Sequence, residues 1–165
     1  MLGVEFGATH TEVVLTADGP RVIETHVRMG GDEIPALAHD ATGVELAEYV
    51  VRQTVGEEVL PQLRTSLAAA PAGRSSAIWF AAAPAAGVLT AVEGTELAAE
   101  VPGVTEVRLL VEPGAKLAAL ASSDDRIAYA RAVSDSPGAA LAAARQAVEL
   151  LEFQIRSRAT TGPTV

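Results

Sequence analysis

The segment "LGVEFGATHTEVVLTADGPRVIETHV", residues 2–27, contains the first predicted strands of the chain. A short apolar run at residues 2–6, a β-branched run at 11–17 and an alternating run at 21–27 each predict a β-strand. The "ADGP" between the last two predicts a hairpin turn, because Gly accepts positive φ and Asp bonds its own turn backbone. We therefore expect three antiparallel strands joined as a meander.

A turn of small residues, "GATHT", follows the carboxylate of Glu5. Backbone N–H groups in such a turn can point at phosphate oxygens, and hydroxyls add further donors. The candidate phosphate- or nucleotide-binding residues are Gly7, Ala8, Thr9 and Thr11, with Glu5 as the carboxylate that would hold a hydrated Mg²⁺. The simpler interpretation is a hairpin that needs a glycine-containing turn, preceded by a solvated glutamate.

The rest of the chain predicts helices that alternate with strands. Residues 42–70 have apolar side chains at helical spacing, and Gly56 and Pro61 should divide that helix. Strands are predicted at 77–83 and 106–112, and helices at 86–101, 114–122 and about 137–158, the last capped by Ser136. Residues 125–133 ("DRIAYARAV") are ambiguous.

This order predicts an α/β fold with a mixed sheet, three antiparallel strands and then β-α-β crossovers, and helices on both faces. That is the topology of the ribonuclease-H-like fold. We expect one domain over residues 1–158, with 159–165 as a flexible tail or the start of a linker.

Composition narrows the classes of function. The 165 residues carry a formal net charge of -9, which disfavours binding to nucleic acid or to an anionic membrane surface. The chain has no cysteine, so disulfides and thiolate sites are excluded. No apolar run is long enough for a membrane span, and we expect a cytoplasmic protein. Only 4% of residues are aromatic, so the core should be built from small side chains.

The opening hairpin, "GVEFGATHTEVVLTADGPRVIET", resembles the first phosphate-binding hairpin of the actin, seventy-kilodalton heat-shock chaperone and sugar kinase superfamily. "MGGDEIPAL" at residues 29–37 is similar to the glycine-rich loop that follows it in the chaperone branch. A second stretch, residues 75–120, is similar to the chaperone segment that ends in a Glu-Pro pair, here Glu112 and Pro113. The resemblance implies the first half of a nucleotide-binding fold, with ATP or ADP and Mg²⁺ as possible cofactors.

The departures from that superfamily point to a degenerate or partial member. Its usual Asp is Glu5 here, the first Thr after the glycine is Ala8, and a common Lys position is Glu12. The glycine-rich phosphate turn of the superfamily's second half is missing, so ATP hydrolysis by this chain alone is not expected. We therefore expect a domain that acts mainly through protein–protein contact, with at most weak nucleotide or phosphate binding.

Two alternatives stay open. The chain could be the N-terminal half of a longer ATPase that is chaperone-like or associated with secretion. It could also be a metal-dependent ribonuclease-H-like nuclease of the RuvC or YqgF type, in which Glu5, Glu112, Asp124 and Asp125 approximate the carboxylate set.

The closing helix offers the partner surface. Its apolar residues recur at intervals of three and four, in a stripe wider than docking on one sheet requires. We expect a protein partner or a second copy to cover this stripe, which consists of Leu141, Val148, Leu151 and Ile155.

Overall fold

The structure is a computed structural model that describes residues 3–4 and 6–157. The chain divides into two compact units, an N-terminal unit (Met1–Ala72) and a C-terminal unit (Gly73–Val165). The expectation of one domain over residues 1–158, followed by a tail, stays a prediction. Within the described residues, none of the helices has the length and apolar character needed to span a membrane.

The N-terminal unit combines a two-stranded ribbon with three short helices. The ribbon pairs β1 with β2 in antiparallel fashion from the Thr16–Gly19 turn to the His10–His26 pair, with a bulge after Glu12. The predicted hairpin turn is confirmed: Gly19 has φ +102°, and the Thr16 hydroxyl donates to the Gly19 carbonyl at 2.8 Å. The elements are β1 (His10–Thr16), β2 (Gly19–His26), α1 (Ile34–Thr42), α2 (Leu46–Thr54) and α3 (Leu60–Ala68).

The prediction of three antiparallel strands in this unit is wrong. Residues 3, 4 and 6 belong to no strand, and Leu2 and Glu5 lie outside the described residues. Among the described residues, β1 and β2 pair only with each other. The run at 2–6 has only five residues, too short for its apolar pattern to distinguish a strand from a loop.

The prediction that Gly56 and Pro61 divide the helical segment is confirmed. Glu45 begins α2 by accepting a hydrogen bond from the Ala47 amide at 3.1 Å. The helix ends before Gly56, whose φ of +90° lies in the left-handed region. Pro61 lies in the first turn of α3, where the missing N–H costs nothing.

The C-terminal unit contains two three-stranded antiparallel sheets, in the orders β3-β7-β5 and β6-β4-β8. Helix α5 packs on β3 and β7, and α4 lies against β5 and α5. The elements are β3 (Ser75–Ala82), β4 (Gly87–Glu93), α4 (Thr95–Ala99), β5 (Val104–Leu109), β6 (Lys116–Leu117), β7 (Arg126–Ser134), α5 (Pro137–Glu149) and β8 (Glu152–Arg156).

The fold is therefore a mixed α/β fold with antiparallel sheets and helices, and the finer prediction of a ribonuclease-H-like sheet is wrong. Every strand pair in the described part of the chain is antiparallel, so the β-α-β crossovers that would need parallel neighbours do not occur. The ambiguous segment 125–133 supplies β7, the central strand of its sheet.

Strands replace part of two predicted helices. Residues 87–93 form β4, and Gly94, with φ +85°, turns the chain into the short α4. Residues 116–117 form β6 in place of the helix predicted at 114–122. Alanine-rich runs score well as helices from their intrinsic preference, but pairing with β8 overrides that preference here.

The closing helix begins as predicted, with the Ser136 hydroxyl accepting from the Ala139 amide, but it ends at Glu149. Ile155 therefore lies on strand β8, and Val148 and Leu151 are buried in the C-terminal unit's core. Of the predicted partner stripe, Leu141 is the exposed member on α5. The partner itself stays a prediction.

Small side chains bring α5 close to the β3-β7-β5 sheet. Alternate residues of β7 and one face of α5 are alanines, and all of them are fully buried. This agrees with the expectation of a core built from small residues. The alanines are Ala128, Ala130 and Ala132 on β7 and Ala140, Ala144 and Ala147 on α5.

Candidate functional site

A cavity of about 210 Å³ lies within the N-terminal unit. It is bounded by the segment before β1, the loop after β2, and all three helices of this unit. Its walls are mostly apolar, with a few polar groups at the rim. The lining residues are Gly7, Ala8, Thr9, His10, Met29, Gly30, Ile34, Pro35, Leu46, Tyr49, Val50, Gln53, Val59, Leu60 and Leu63.

One face of α2 forms a wall of this cavity, because Leu46, Tyr49, Val50 and Gln53 recur at helical spacing. Tyr49 is 8% exposed and joins Val44 and Val59 in the small core of this unit. Its phenol lies 2.9 Å from the Ser66 hydroxyl on α3. The wall is therefore held by packing and by a hydrogen bond between two helices.

Gln53 ties the opening turn to α2. Its Oε1 accepts a hydrogen bond from the Gly7 amide at 3.1 Å. The backbone donor predicted to face phosphate is thus directed at a side chain of the same unit. This bond occupies one of the backbone donors of the predicted phosphate-binding turn.

The loop that leads into α1 is conformationally unusual. Asp32 and Glu33 have φ of 50° and 61°, in the left-handed region that side chains other than glycine seldom adopt. Strained backbone of this kind clusters at functional sites, and the nearby residues Gly30 and Ile34 line the cavity. Gly30 is constrained in another way, because a Cβ there would lie 3.0 Å from His10 Nδ1 and from Ile34 Cδ1.

Histidine and glutamate side chains form a row across one face of the ribbon. His10 and His26 are opposite each other, with ring centroids 6.5 Å apart, and Glu12 is opposite Glu24. Each imidazole Nε2 lies near a carboxylate, at 3.4 Å for His10–Glu12 and 3.1 Å for His26–Glu24. These are two separate pairs: among the described residues, no three acidic or histidine side chains converge as a metal site would require.

The structure brings only some of the predicted site residues together. Gly7, Ala8 and Thr9 line the cavity. Thr11 is not one of its lining residues, and its hydroxyl lies 2.8 Å from that of Thr25 across the ribbon. Glu5, the predicted metal ligand, lies outside the described residues. Their role in binding phosphate or metal stays a prediction.

Asp125, one of the acidic pair Asp124 and Asp125, caps a turn. Asp125 Oδ2 accepts from the Ala121 and Ser122 amides, both at 2.9 Å, and these bonds hold the pKa of its carboxyl below the usual range. This is the geometry of a capping box at the start of the 3-10 turn 123–125. It gives Asp125 a structural role that the nuclease interpretation did not include.

A polar cluster in the C-terminal unit was not predicted from the sequence. Glu106 Oε2 accepts from the Tyr129 hydroxyl at 2.9 Å and from Arg131 Nε and Nη2 at 3.1 and 2.9 Å. Burial raises the pKa of Glu106, but the hydrogen bonds from Tyr129 and Arg131 outweigh it and the net pKa is lowered. The alternation "YAR" at residues 129–131 was the available signal, since Tyr129 and Arg131 share one face of a strand.

Residues 79–156 match the family model described as L-amino acid ligase C-terminal domain 2. The chain is also 32% identical over 154 residues to an uncharacterized protein, y4rH, of Sinorhizobium fredii. That alignment covers 93% of this chain and 31% of the relative. The chain therefore spans about a third of the length of this curated relative.

Solved structures show the same fold. The L-amino acid ligase of Bacillus licheniformis aligns with a TM-score of 0.78 at 20% identity, over 94% of this chain and 38% of the ligase. Phosphoribosylglycinamide synthetase of Anaerococcus prevotii aligns with a TM-score of 0.77 at 13% identity, over 91% of this chain and 37% of that chain. A third match is the biotin carboxylase domain of a Hydrogenobacter thermophilus carboxylase, in complex with MgADP and bicarbonate. It aligns with a TM-score of 0.60 at 21% identity, over 91% of this chain and 32% of that chain.

These findings correct the family and the function inferred from the sequence. The structural neighbours are ATP-grasp ligases and biotin carboxylases, so the resemblance to the actin, chaperone and sugar kinase superfamily is wrong. The degenerate chaperone-like interaction module, the longer chaperone-like or secretion-associated ATPase and the nuclease are wrong with it. A carboxylate followed by a glycine turn and a hairpin is a short pattern, and it is too general to identify one superfamily.

Proposed function

We propose that this chain supplies the C-terminal third of an ATP-dependent ligase that joins a carboxylate to an amine and takes an amino acid as one substrate. The observation that carries the proposal is the match of residues 79–156 to the C-terminal domain of L-amino acid ligases. The alignment of 94% of the chain with one such ligase supports it. The whole enzyme's activity belongs to a protein about three times as long.

The energy source follows from the chemistry. An amide bond between a free carboxylate and an amine forms unfavourably in water, so a ligase must consume an activated phosphate compound. One structural neighbour holds MgADP, which supports ATP with Mg²⁺ as the cofactor of the complete enzyme.

The Gly7 amide is bonded to Gln53, and among the described residues no three acidic or histidine side chains converge on one position. We expect the part of the enzyme outside this chain to supply further contacts to ATP and Mg²⁺. Phosphate binding at Gly7, Ala8, Thr9 and Thr11 would be a secondary contribution.

The cavity of the N-terminal unit is the part of this chain best suited to substrate. Its volume of about 210 Å³ and mostly apolar walls suit one small apolar group, such as an aliphatic amino-acid side chain. The apolar part of its wall includes Leu46, Val50 and Leu63, and the polar groups of the lining would orient the substrate. We expect these three residues to set which amino acid is accepted.

The test joins this chain to the rest of a relative. The third of the S. fredii protein that matches this chain is replaced by it, and ADP release is measured with ATP, Mg²⁺ and mixtures of amino acids. We expect ADP release that depends on amino acids, and we expect Val50→Trp, which fills the cavity, to raise KM for the larger amino acids. Val51→Trp, at the neighbouring exposed position on α2, is the matched control. A folded joined protein that releases no ADP with any amino acid would contradict the proposal.

A further inference from the structure

One face of the β1–β2 ribbon is apolar and exposed. Cross-strand partners share a face, so Val13 lies with Val22, and Leu15 lies with Pro20. The exposed fractions are 48% for Val13, 65% for Val22 and 83% for Leu15. The Thr11–Thr25 hydroxyl pair borders this apolar face at one end. The opposite face carries the histidine–glutamate row.

The ribbon has little support of its own. It is a two-stranded sheet, and such a hairpin is marginally stable in water unless a further strand or a packed surface covers it. Among the described residues, no third strand pairs with either edge. An apolar face of this kind is typical of an interaction surface.

The length of the aligned proteins supports a partner for this apolar face. The ligases and carboxylases that align with this chain are about three times as long. The C-terminal family model matches residues 79–156, whereas the ribbon lies at residues 10–26, at the other end of the chain. Because the matched family model is a C-terminal domain, the remaining length of a ligase would precede this chain, and the ribbon is the described sheet nearest to that junction in sequence.

We propose that the apolar face of the ribbon, formed by Val13, Leu15, Pro20 and Val22, packs against the N-terminal two thirds of the ligase. This inference rests on the proposed function. The partner surface is apolar, because the ribbon face offers no charge to pair with. Burial of the three aliphatic side chains on that surface stabilises both parts and orders the ribbon.

The test uses the joined protein described above, beside the 165-residue chain alone. Hydrogen exchange at the amides of β1 and β2 is expected to be about tenfold slower, or more, in the joined protein than in the chain alone. The double variant Leu15→Lys/Val22→Lys should lower the melting temperature of the joined protein by several degrees and leave that of the chain alone unchanged. The control Leu97→Lys/Leu120→Lys, at exposed positions of the C-terminal unit, should shift neither.

Three results would overturn the inference. The first is equal exchange rates at β1 and β2 in the two proteins. The second is a melting temperature of the joined protein that the ribbon variant does not change. The third is a chain that forms a dimer by itself and dissociates on Leu15→Lys/Val22→Lys, because a second copy would then cover the ribbon.

Two further arms keep the result interpretable. If the joined protein does not fold, the non-matching part of the S. fredii protein is added as a separate polypeptide to the chain, and unchanged exchange at β1 and β2 counts against the inference. A joined protein with slow hydrogen exchange in the ribbon but no amino-acid-dependent ADP release would contradict the proposed function. It would still support this docking surface.

Discussion

The Gly7 amide donates a hydrogen bond to Gln53 Oε1 at 3.1 Å, across a sequence separation of 46 residues. This bond joins the turn before β1 to helix α2, and both of its residues line the cavity. One backbone donor of a turn with the composition of a phosphate-binding loop is therefore bonded within its own unit.

Replacing Gln53 by Leu should release this turn. The bond is exposed, so the loss in free energy of unfolding should be small, about 1 kcal/mol or less. Hydrogen exchange at the Gly7 amide should become faster. Gln146→Leu, at an exposed position of α5, is the control and should leave Gly7 unchanged. An unchanged exchange rate at Gly7 in the Gln53 variant would show that the bond does not hold the turn.

Gly30→Ala should disturb the cavity. The added Cβ would lie 3.0 Å from His10 Nδ1 and from Ile34 Cδ1, so both side chains must move. We expect a shift of the His10 ring resonances and destabilisation of about 1 kcal/mol. Gly31→Ala is the matched control, because a Cβ at the adjacent residue meets nothing within 4 Å. If both variants gave the same small effect, the close approach at Gly30 would have no importance for the unit.

Gly94→Ala should be strongly destabilising. Gly94 has φ +85°, and a Cβ would lie 2.0 Å from the Leu150 carbonyl oxygen, which is backbone and cannot rotate away. Gly114→Ala has the same left-handed strain, at φ +99°, with open space around it, and should cost about 1–2 kcal/mol. Urea unfolding should show a clearly larger loss for Gly94→Ala. Equal losses would mean that strain at positive φ, and not the clash with Leu150, sets the effect.

The Glu106 cluster should make stability depend on pH. The folded-state pKa of Glu106 is lowered, so its contribution is present above the ordinary glutamate pKa and is lost as the pH falls through the lower folded-state value. Glu106→Gln should cost about 2 kcal/mol at pH 7, because hydrogen bonds from Tyr129 and Arg131 lose their charged acceptor. The deficit should shrink as the pH is lowered through the folded-state pKa of Glu106, because the wild-type carboxyl then becomes protonated as well.

The control for this prediction is Glu152→Gln on β8, an exposed carboxylate outside the cluster. It should change stability little at either pH. A Glu106→Gln deficit that stays constant as the pH is lowered from 7 until the folded protein takes up the proton of Glu106 would show that shape, and not charge, is responsible.

The sequence predicts local structure best where a local signal controls it. Gly56 and Pro61 end and begin helices as expected, Ser136 caps α5, and the Asp-Gly turn joins β1 to β2. In each case a backbone requirement, such as positive φ at glycine or the missing N–H of proline, acts within one turn of the residue concerned.

The errors lie where pairing partners are distant in sequence. Residues 87–93 carry small and apolar side chains that suit either a helix or a strand, and their pairing with residues 152–156 decides for a strand. The same pairing ends the closing helix at Glu149, so Ile155 leaves the predicted stripe. The cavity could not be predicted either, because Gly7, Tyr49 and Leu63 become neighbours only through packing of three helices.

The resemblance to the actin, chaperone and sugar kinase superfamily was wrong for a similar reason. The hairpin resembled one superfamily over a short stretch, whereas the match to ligases extends over residues 79–156 and over the fold of the chain. Length and topology discriminate between families better than a turn of five residues.

The most direct test of the proposed ligase function is to look for its amide product. The joined protein is incubated with ATP, Mg²⁺ and pairs of amino acids, and mass spectrometry measures amide-linked products beside ADP. The proposed function predicts a new dipeptide-type product. This product should form in equal amount to ADP, and it should be absent when either ATP or the amino acids are omitted. ATP turnover without any amide product, by a protein that is shown to be folded, would contradict it.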